Sequence, residues 1–278
     1  MQVSLKLDKK EYALGDPIIA EVTVTNDGKA VQSTPRPALN LAATSFKLTR
    51  DANAKTPESY IVRHGMDAQT VSLKPGEKVT EKIELLAIEP GTFTLTALHG
   101  HMGPWQGGFN KSNATASAAE KITVKAPAGK KMKARMTTEA GTVVLGFLPE
   151  RAHNHVLSWL QLAKKGYFNG IKFHRVVPNF VIQGGDPTGT GSGGPGYKLP
   201  AEFNELKHVP GILSMARTND PHSGGSQFFL CTATTPHLDN QYTVFGQVEE
   251  GLDAALKIGA SESNARKFSM QKVEVFVG

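Results

Sequence analysis

The alternation of apolar and polar residues over the first 125 positions restricts this chain more than any other feature. Val3, Leu5 and Leu7 alternate with Ser4, Lys6 and Asp8, and Ile18, Ala20, Val22 and Val24 alternate with Ile19, Glu21, Thr23 and Thr25. A period of two sends one set of side chains to a buried sheet face and the other toward solvent. A helix would need apolar residues three and four apart, and this half has no useful run of that kind. Further strands are predicted at Phe46–Arg50, Val79–Leu86, Thr92–Leu98 and Glu120–Lys125. Turns fall at Asn26-Asp27-Gly28, Lys74-Pro75-Gly76-Glu77 and Glu89-Pro90-Gly91, whose residues tolerate positive φ or preset a bend. Many short strands joined by Gly/Pro turns predict a two-sheet sandwich.

At 278 residues, with 39% hydrophobic and 20% charged residues, the chain has the makings of about two globular domains rather than a disordered segment. The boundary is predicted at Ala126-Pro127-Ala128-Gly129-Lys130. This gives a β-sandwich over 1–126, a linker over 127–131 and a second domain over 132–278. Apolar runs such as Val143–Leu148 fall far short of the roughly 18 residues that span a bilayer. Met1 leads straight into strand-like sequence. The chain as it stands therefore reads as cytoplasmic, or as periplasmic if an upstream signal was removed. Cys231 is the single cysteine, which excludes an internal disulfide framework and a Cys-rich zinc site. The net charge is +6. The densest basic stretch (Lys125, Lys130, Lys131, Lys133, Arg135) has no interleaved aromatics, so it reads as a solvated linker and not as a nucleic-acid surface.

The second half changes character. A hairpin is predicted from Met132–Thr137 and Gly141–Phe147. A helix carrying Val156, Leu157, Leu160 and Ala163 follows, ending at Gly166. Short strands are predicted at Lys172–Val177, Phe180–Gln183, Gly211–Ala216, Gln227–Thr232 and Thr243–Val248. A short helix over Gly251–Ile258 and a strand over Ser269–Val277 complete the chain. In the first half, Tyr12–Pro17 (YALGDP) followed by strand resembles the opening of bacterial immunoglobulin-like adhesion and inhibitor modules.

Several motifs carry less chemistry than they suggest. Gly189-Thr190-Gly191-Ser192-Gly193-Gly194 fits a dinucleotide pattern, but Pro195-Gly196 follows where a helix would have to begin, so it reads as a flexible loop. His99/His101 and His153/His155 have metal-ligand spacing but no third ligand, and they read as surface or turn histidines. Ser223–Ser226 lacks a nucleophile elbow. Cys231, within Phe228-Phe229-Leu230-Cys231, reads as inert core.

Residues 173–186 (FHRVVPNFVIQGGD) stand apart, because Arg175 lies in an otherwise apolar strand and Gln183 ends the next one. With 211–216 (GILSMA), 226–232 (SQFFLCT), 237–246 (HLDNQYTVFG) and the flanking strings at 166–170 and 185–191, this order and spacing resembles the cyclophilin family of peptidyl-prolyl cis–trans isomerases. The resemblance runs from about Met132 to Gly278. It implies a mainly β protein whose second half is a closed antiparallel β-barrel capped by two helices, behind an immunoglobulin-like β-sandwich. It also implies an enzyme for X-Pro isomerisation that assists protein folding, acts on proline-containing peptides and folding chains, and needs no metal or other cofactor. By matching position, Arg175 would be catalytic. Phe180, Val181, Phe229, Leu238 and Tyr242 would form the proline pocket. Gln183 would position carbonyl and arginine, and Gln227 would border the groove. The main chain at Ala216 and Arg217 would pair with an extended peptide, which explains tolerance of many flanking sequences. His174 is assigned to structure.

The reaction suits such residues. Amide resonance sets a barrier of about 20 kcal/mol and makes uncatalysed exchange take tens to roughly hundreds of seconds. No covalent step is required, since favouring the twisted amide over both planar forms is enough. A guanidinium is a permanently charged fork of donors, able to hold the carbonyl and donate toward the pyramidal prolyl nitrogen. Four positions depart from the family's best-known members: His237 for Trp, Tyr242 for His, Val181 for Met and Arg217 for Asn. The first implies weak cyclosporin binding. Together they leave open a second reading, a proline-peptide binding or scaffolding module with little turnover.

Overall fold

In β1 (Gln2–Leu7), β2 (Glu11–Ala13) and β3 (Pro17–Thr25) the expected alternation is realised: Val3, Leu5 and Leu7 are buried, as are Ile18, Ala20, Val22 and Val24. The computed structural model describes residues 1–39, 43–50, 58–65, 69–100, 114–261 and 267–278. The chain divides into two units, 1–126 with 196–200, and 127–195 with 201–278.

The first unit continues with β4 (Gln32–Pro35), β5 (Thr44–Thr49), β6 (Glu58–Ile61), β7 (His64–Gly65), β8 (Thr70–Leu73), β9 (Lys78–Leu86), β10 (Gly91–His99), β11 (Thr115–Ala116) and β12 (Glu120–Lys125). One sheet has the order β1-β3-β9, and a second runs β2-β12-β10-β5-β6 with β11 beside β10. All of these pairs are antiparallel except β12 with β2, where Thr123 lies opposite Glu11. The second sheet buries Phe46, Leu48, Phe93, Leu95, Ile122 and Val124. Tyr12 is buried, and its hydroxyl donates to Asp8 Oδ1 (2.8 Å) and to the Lys9 carbonyl (2.9 Å). This fastens β2 to the turn before it.

His99 is not a surface residue. It is 2% exposed, with Nε2 2.8 Å from Thr34 Oγ1 and Nδ1 3.0 Å from Thr44 Oγ1. His101 lies outside the described residues. Burial lowers the His99 pKa from 6.5 to about 4, against a smaller opposing effect from the Ala43 backbone. The unfolded chain therefore takes up a proton first as pH falls. Stability should be fully present above pH 6.5 and fall by on the order of 3 kcal/mol between pH 6.5 and 4. The check is urea denaturation of the full chain followed through the NMR signals of β10. The midpoint should drop over that pH window, and His99→Gln should flatten the drop.

The second unit contains β13 (Met132–Thr138), β14 (Gly141–Phe147), α1 (His153–Lys164), β15 (Ile171–Lys172), β16 (Arg175–Val177), β17 (Val181–Gly184), β19 (Ile212–Met215), β20 (Phe228–Cys231), β21 (Val244–Glu250), α2 (Leu252–Gly259), β22 (Ser269–Met270) and β23 (Lys272–Val277). Strand β18 (Tyr197–Lys198) belongs to the first unit, where it pairs with β7. Helix α1 ends in two interlocked bonds, Gly166 N to Ala163 O (2.9 Å) and Tyr167 N to Leu162 O (3.0 Å), with Gly166 at φ +72°. Glycine suits that left-handed position, so the expected stop is the observed one.

The sides of α1 were not foreseen. Every residue from His153 to Ala163 is buried, including His153 and His155, which had read as surface histidines. The burial of His155 is tolerated because a polar partner reaches in from elsewhere. The Glu202 carboxylate accepts from Asn154 N (3.1 Å), His155 N (2.9 Å) and His155 Nδ1 (2.6 Å). An anion there offsets the free N–H groups of the helix start. Trp159 stacks on Phe168 (4.8 Å between ring centres) and also meets Phe147 (5.1 Å) and Phe228 (5.8 Å).

The main sheet has the order β16-β17-β20-β19-β21-β14-β13-β23. It does not close into a barrel by pairing β16 with β23, which corrects the closed barrel expected from the resemblance. The reason lies in the segments before each edge. Ile171–Lys172 pairs with Ser269–Met270 as a separate two-residue ladder, and Phe173 N bonds Phe268 O (3.0 Å). After three residues β16 then meets Pro178, which has no N–H to extend a ladder, and Asn179 at φ +54°. The predicted strands Lys172–Val177 and Ser269–Val277 are accordingly each broken in two. No described helix is long and apolar enough to cross a membrane.

Candidate active site

Five strands of the main sheet contribute to one rung. Arg175 lies opposite Gln183, Gln183 opposite Phe229, Phe229 opposite Ser214, and Ser214 opposite Val244. Directly opposed residues share a sheet face, and so do residues two apart on one strand. Val181, Cys231 and Ile212 therefore join that face, while Ile182, Leu230 and Leu213 point to the other. The alternation that builds the sheet also sets an apolar patch beside an arginine.

Arg175 is exposed, and no carboxylate among the described residues pairs with it. Its Nη1 donates to Gln183 Oε1 at a long 3.4 Å, and its guanidinium carbon lies 5.7 Å from the centre of the Phe180 ring. Gln183 Nε2 donates to Gln227 Oε1 (3.0 Å), and Gln227 Nε2 donates to the carbonyls of Gly191 (3.0 Å) and Gly193 (2.9 Å). A file of amides thus runs from the glycine loop to the guanidinium. The loop is tied down rather than flexible, because the buried Asp186 carboxylate accepts from Thr188 N (2.7 Å), Thr188 Oγ1 (2.8 Å) and Gly191 N. Burial alone would raise its pKa, but the bonds from Thr188, Gly193 and Gly191 outweigh it and bring it down to about 2. A side chain on Gly193 would sit 2.1 Å from Asp186 Oδ1, so glycine is required there by close approach.

Beside this file lies an apolar cluster. Val181, Ile212, Phe229, Cys231, Leu238 and Val244 are buried together, with Phe180, Ala216, Leu206 and Tyr242 packed against them. The Phe229 and Tyr242 rings meet edge to face at 5.6 Å, and the exposed His237 ring stacks on Phe180 at 5.4 Å. Arg217 lies over the Tyr242 ring at 4.5 Å. The Ala216 N–H is committed to Gln227 O (2.9 Å). Cys231 is fully buried and its thiol is pushed up to about 11 by burial, as an inert core cysteine requires.

Against this cluster lies a relay that the sequence does not reveal. Buried His208 stacks on Phe229 (6.0 Å), with Nδ1 3.1 Å from Asp239 Oδ1 and Nε2 3.1 Å from Ser214 Oγ. Ser214 Oγ in turn donates to Thr243 O (3.0 Å). Burial holds the His208 pKa below its ordinary value, against the opposing pull of the Asp239 carboxylate. Asp239, bonded first by the His208 backbone N–H and also by Lys207, is held at about 2. Ser214 is fully buried beneath aromatic rings, so the arrangement braces Phe229 and offers no accessible nucleophile. The one available signal was a buried-type histidine near an aspartate, 31 positions apart, with nothing local to join them.

All eleven residues singled out from the sequence (Arg175, Phe180, Val181, Gln183, Ala216, Arg217, Gln227, Phe229, His237, Leu238 and Tyr242) lie along this file and the apolar cluster beside it. Comparison with known proteins gives the family. The sequence model of the family described as "Cyclophilin type peptidyl-prolyl cis-trans isomerase/CLD" matches residues 133–276. The chain belongs to the cyclophilin family. A peptidyl-prolyl cis-trans isomerase from Synechococcus elongatus is 45% identical over 141 residues, covering 51% of this chain and 95% of the relative. One from Helicobacter pylori is 45% identical over 129 residues, covering 45% of this chain and 78% of the relative. A crystal structure of a cyclophilin-type isomerase from Cryptosporidium parvum shares 29% identity, covers 52% of this chain and 97% of its own, and has a TM-score of 0.49. The cyclophilin match begins at residue 133, so residues 1–126 of the first unit lie outside it.

Proposed function

We propose that this cyclophilin isomerises X-Pro bonds by seating the proline ring in the hollow of Phe180, Val181, Phe229, Leu238 and Tyr242 while Arg175 favours the half-rotated amide. A twisted amide loses resonance, its nitrogen becomes pyramidal, and its carbonyl gains single-bond character. Arg175 can donate to the carbonyl of the bound proline and toward the nitrogen lone pair, which exists only in the twisted form. Binding that strengthens only there lowers the barrier. Gln183 and Gln227 keep the guanidinium beside the hollow. The carbonyl of Ala216 and the main chain of Arg217 supply an edge for an extended peptide. No covalent bond forms, and the mechanism calls on no metal or cofactor.

The observation that carries this reading is a guanidinium without a carboxylate partner among the described residues, placed through Gln183 on the rung whose next residue, Phe229, floors the hollow. The proposed domains are 1–126, an immunoglobulin-like sandwich that tethers the enzyme to folding clients or a surface, and 132–278, the isomerase, joined by 127–131. His237 in place of tryptophan removes an indole from the rim, so weak cyclosporin binding is expected. A proline-limited peptide assay, paired with exchange spectroscopy on the same peptide, tests the reading. Faster cis–trans exchange on binding is expected. Binding without faster exchange would contradict turnover and favour a scaffolding module, the reading motivated by the altered residues Val181, His237 and Tyr242.

A further inference from the structure

Arg217 places a second cation at the hollow, on the Tyr242 side, where Arg175 stands on the Phe180 side. Its position is defined rather than free. Nε donates to Gln241 O (2.9 Å) and Nη1 to Thr218 O (2.9 Å), and these bonds hold the guanidinium across the Tyr242 ring. Carbonyl oxygens and an aromatic face attract the charge without neutralising it. The neighbouring carboxylates are otherwise engaged. Asp220 accepts from His222 N (2.9 Å), and Asp239 is held by His208 and Lys207. Among the described residues, no carboxylate pairs with either guanidinium at the hollow. Two fixed cations flanking one pocket raise the local potential, and among the described residues no carboxylate forms an ion pair with either.

We propose that Arg217 is a specificity-determining residue, giving the enzyme a preference for substrates that carry an Asp or Glu side chain adjacent to the proline. The inference rests on reading the hollow as the proline socket, since an extended peptide paired along Ala216 and Arg217 must pass the Arg217 side chain. Nη2 is the donor left for a carboxylate at that edge. The contact is solvent-facing, so its contribution is modest, about two- to fivefold in kcat/KM.

The test is a peptide set with Glu, Gln or Lys immediately before or immediately after one proline, assayed for kcat/KM with the full-length chain. The readout is the Glu-to-Gln ratio within each enzyme, which does not depend on the overall rate of a variant. Wild type should favour Glu by about two- to fivefold at one of the two positions and disfavour Lys there. Raising NaCl to about 0.5 M should pull the ratio toward one. Arg217→Gln should bring it near one at low salt, and Arg217→Glu should reverse it. Turnover of all peptides with no charge preference would overturn the proposal and leave the socket intact. A Glu preference that survives Arg217→Gln would assign recognition to another group and also overturn it. No turnover of any peptide would sink the socket reading, and this inference with it.

Discussion

Arg175→Ala is expected to lower kcat/KM for a proline peptide by about two orders of magnitude, with the fold intact. The size follows from losing a preorganised charged donor aimed at a group that changes in the transition state. The fold should survive because the side chain is exposed, forms one long bond to Gln183 and makes no ion pair among the described residues. Arg175→Lys should recover little. An ammonium is a compact point charge and cannot donate to two sites from a planar fork. The proline-limited assay measures the rate, and urea denaturation checks the fold. A rate within a factor of about two of wild type would remove Arg175 from the mechanism.

Trp159→Ala is expected to have the largest effect on stability, a loss of about 3–5 kcal/mol. Trp159 is 1% exposed and sits among Phe147, Phe168 and Phe228, linking α1 to β14 and β20. Its Nε1 has no hydrogen-bond partner among the described residues, so its contribution is packing alone. Trp159→Phe should therefore cost much less, because it keeps the ring contacts and removes an unsatisfied donor. The effect also bears on the site. Phe228 and Phe229 are consecutive in β20 and point to opposite faces, so the Trp159 cluster backs the sheet whose other face floors the hollow. Urea midpoints of the two variants measure the difference. Equal losses would show that the stacking around Trp159 does not hold the sheet in place.

What the sequence made legible follows from the range of the forces involved. The long strands of the first unit could be read because each buries one face, so β1 and β3 declare themselves within nine residues. Strands such as β2, β7 and β8 contain too few residues to show a period. Helix α1 was found through Val156, Leu157, Leu160 and Ala163, yet its polar residues were misread. A helix buried on every side has no polar face to betray it, and the partner that makes burial of His155 tolerable, Glu202, is 47 positions away. The closed barrel gives way at the breaks before β16 and β23, where Ile171–Lys172 and Ser269–Met270 pair as a ladder of their own. The residues of the candidate site were named because four separated strings matched a family in order. No spacing rule brings Arg175 next to Phe229; two strand registers do. The supports behind them, Asp186 in the glycine loop and His208 between Asp239 and Ser214, depend on contacts that only the folded chain creates.

Arg175 is proposed to act on the twisted amide and not on the planar substrate. Line-shape NMR on a saturating proline peptide separates the two, because it reports the dissociation constant and the on-enzyme cis–trans exchange rate together. Arg175→Ala should collapse the exchange rate with only a small change in affinity. Weakened binding with an undiminished exchange rate on the bound peptide would contradict it.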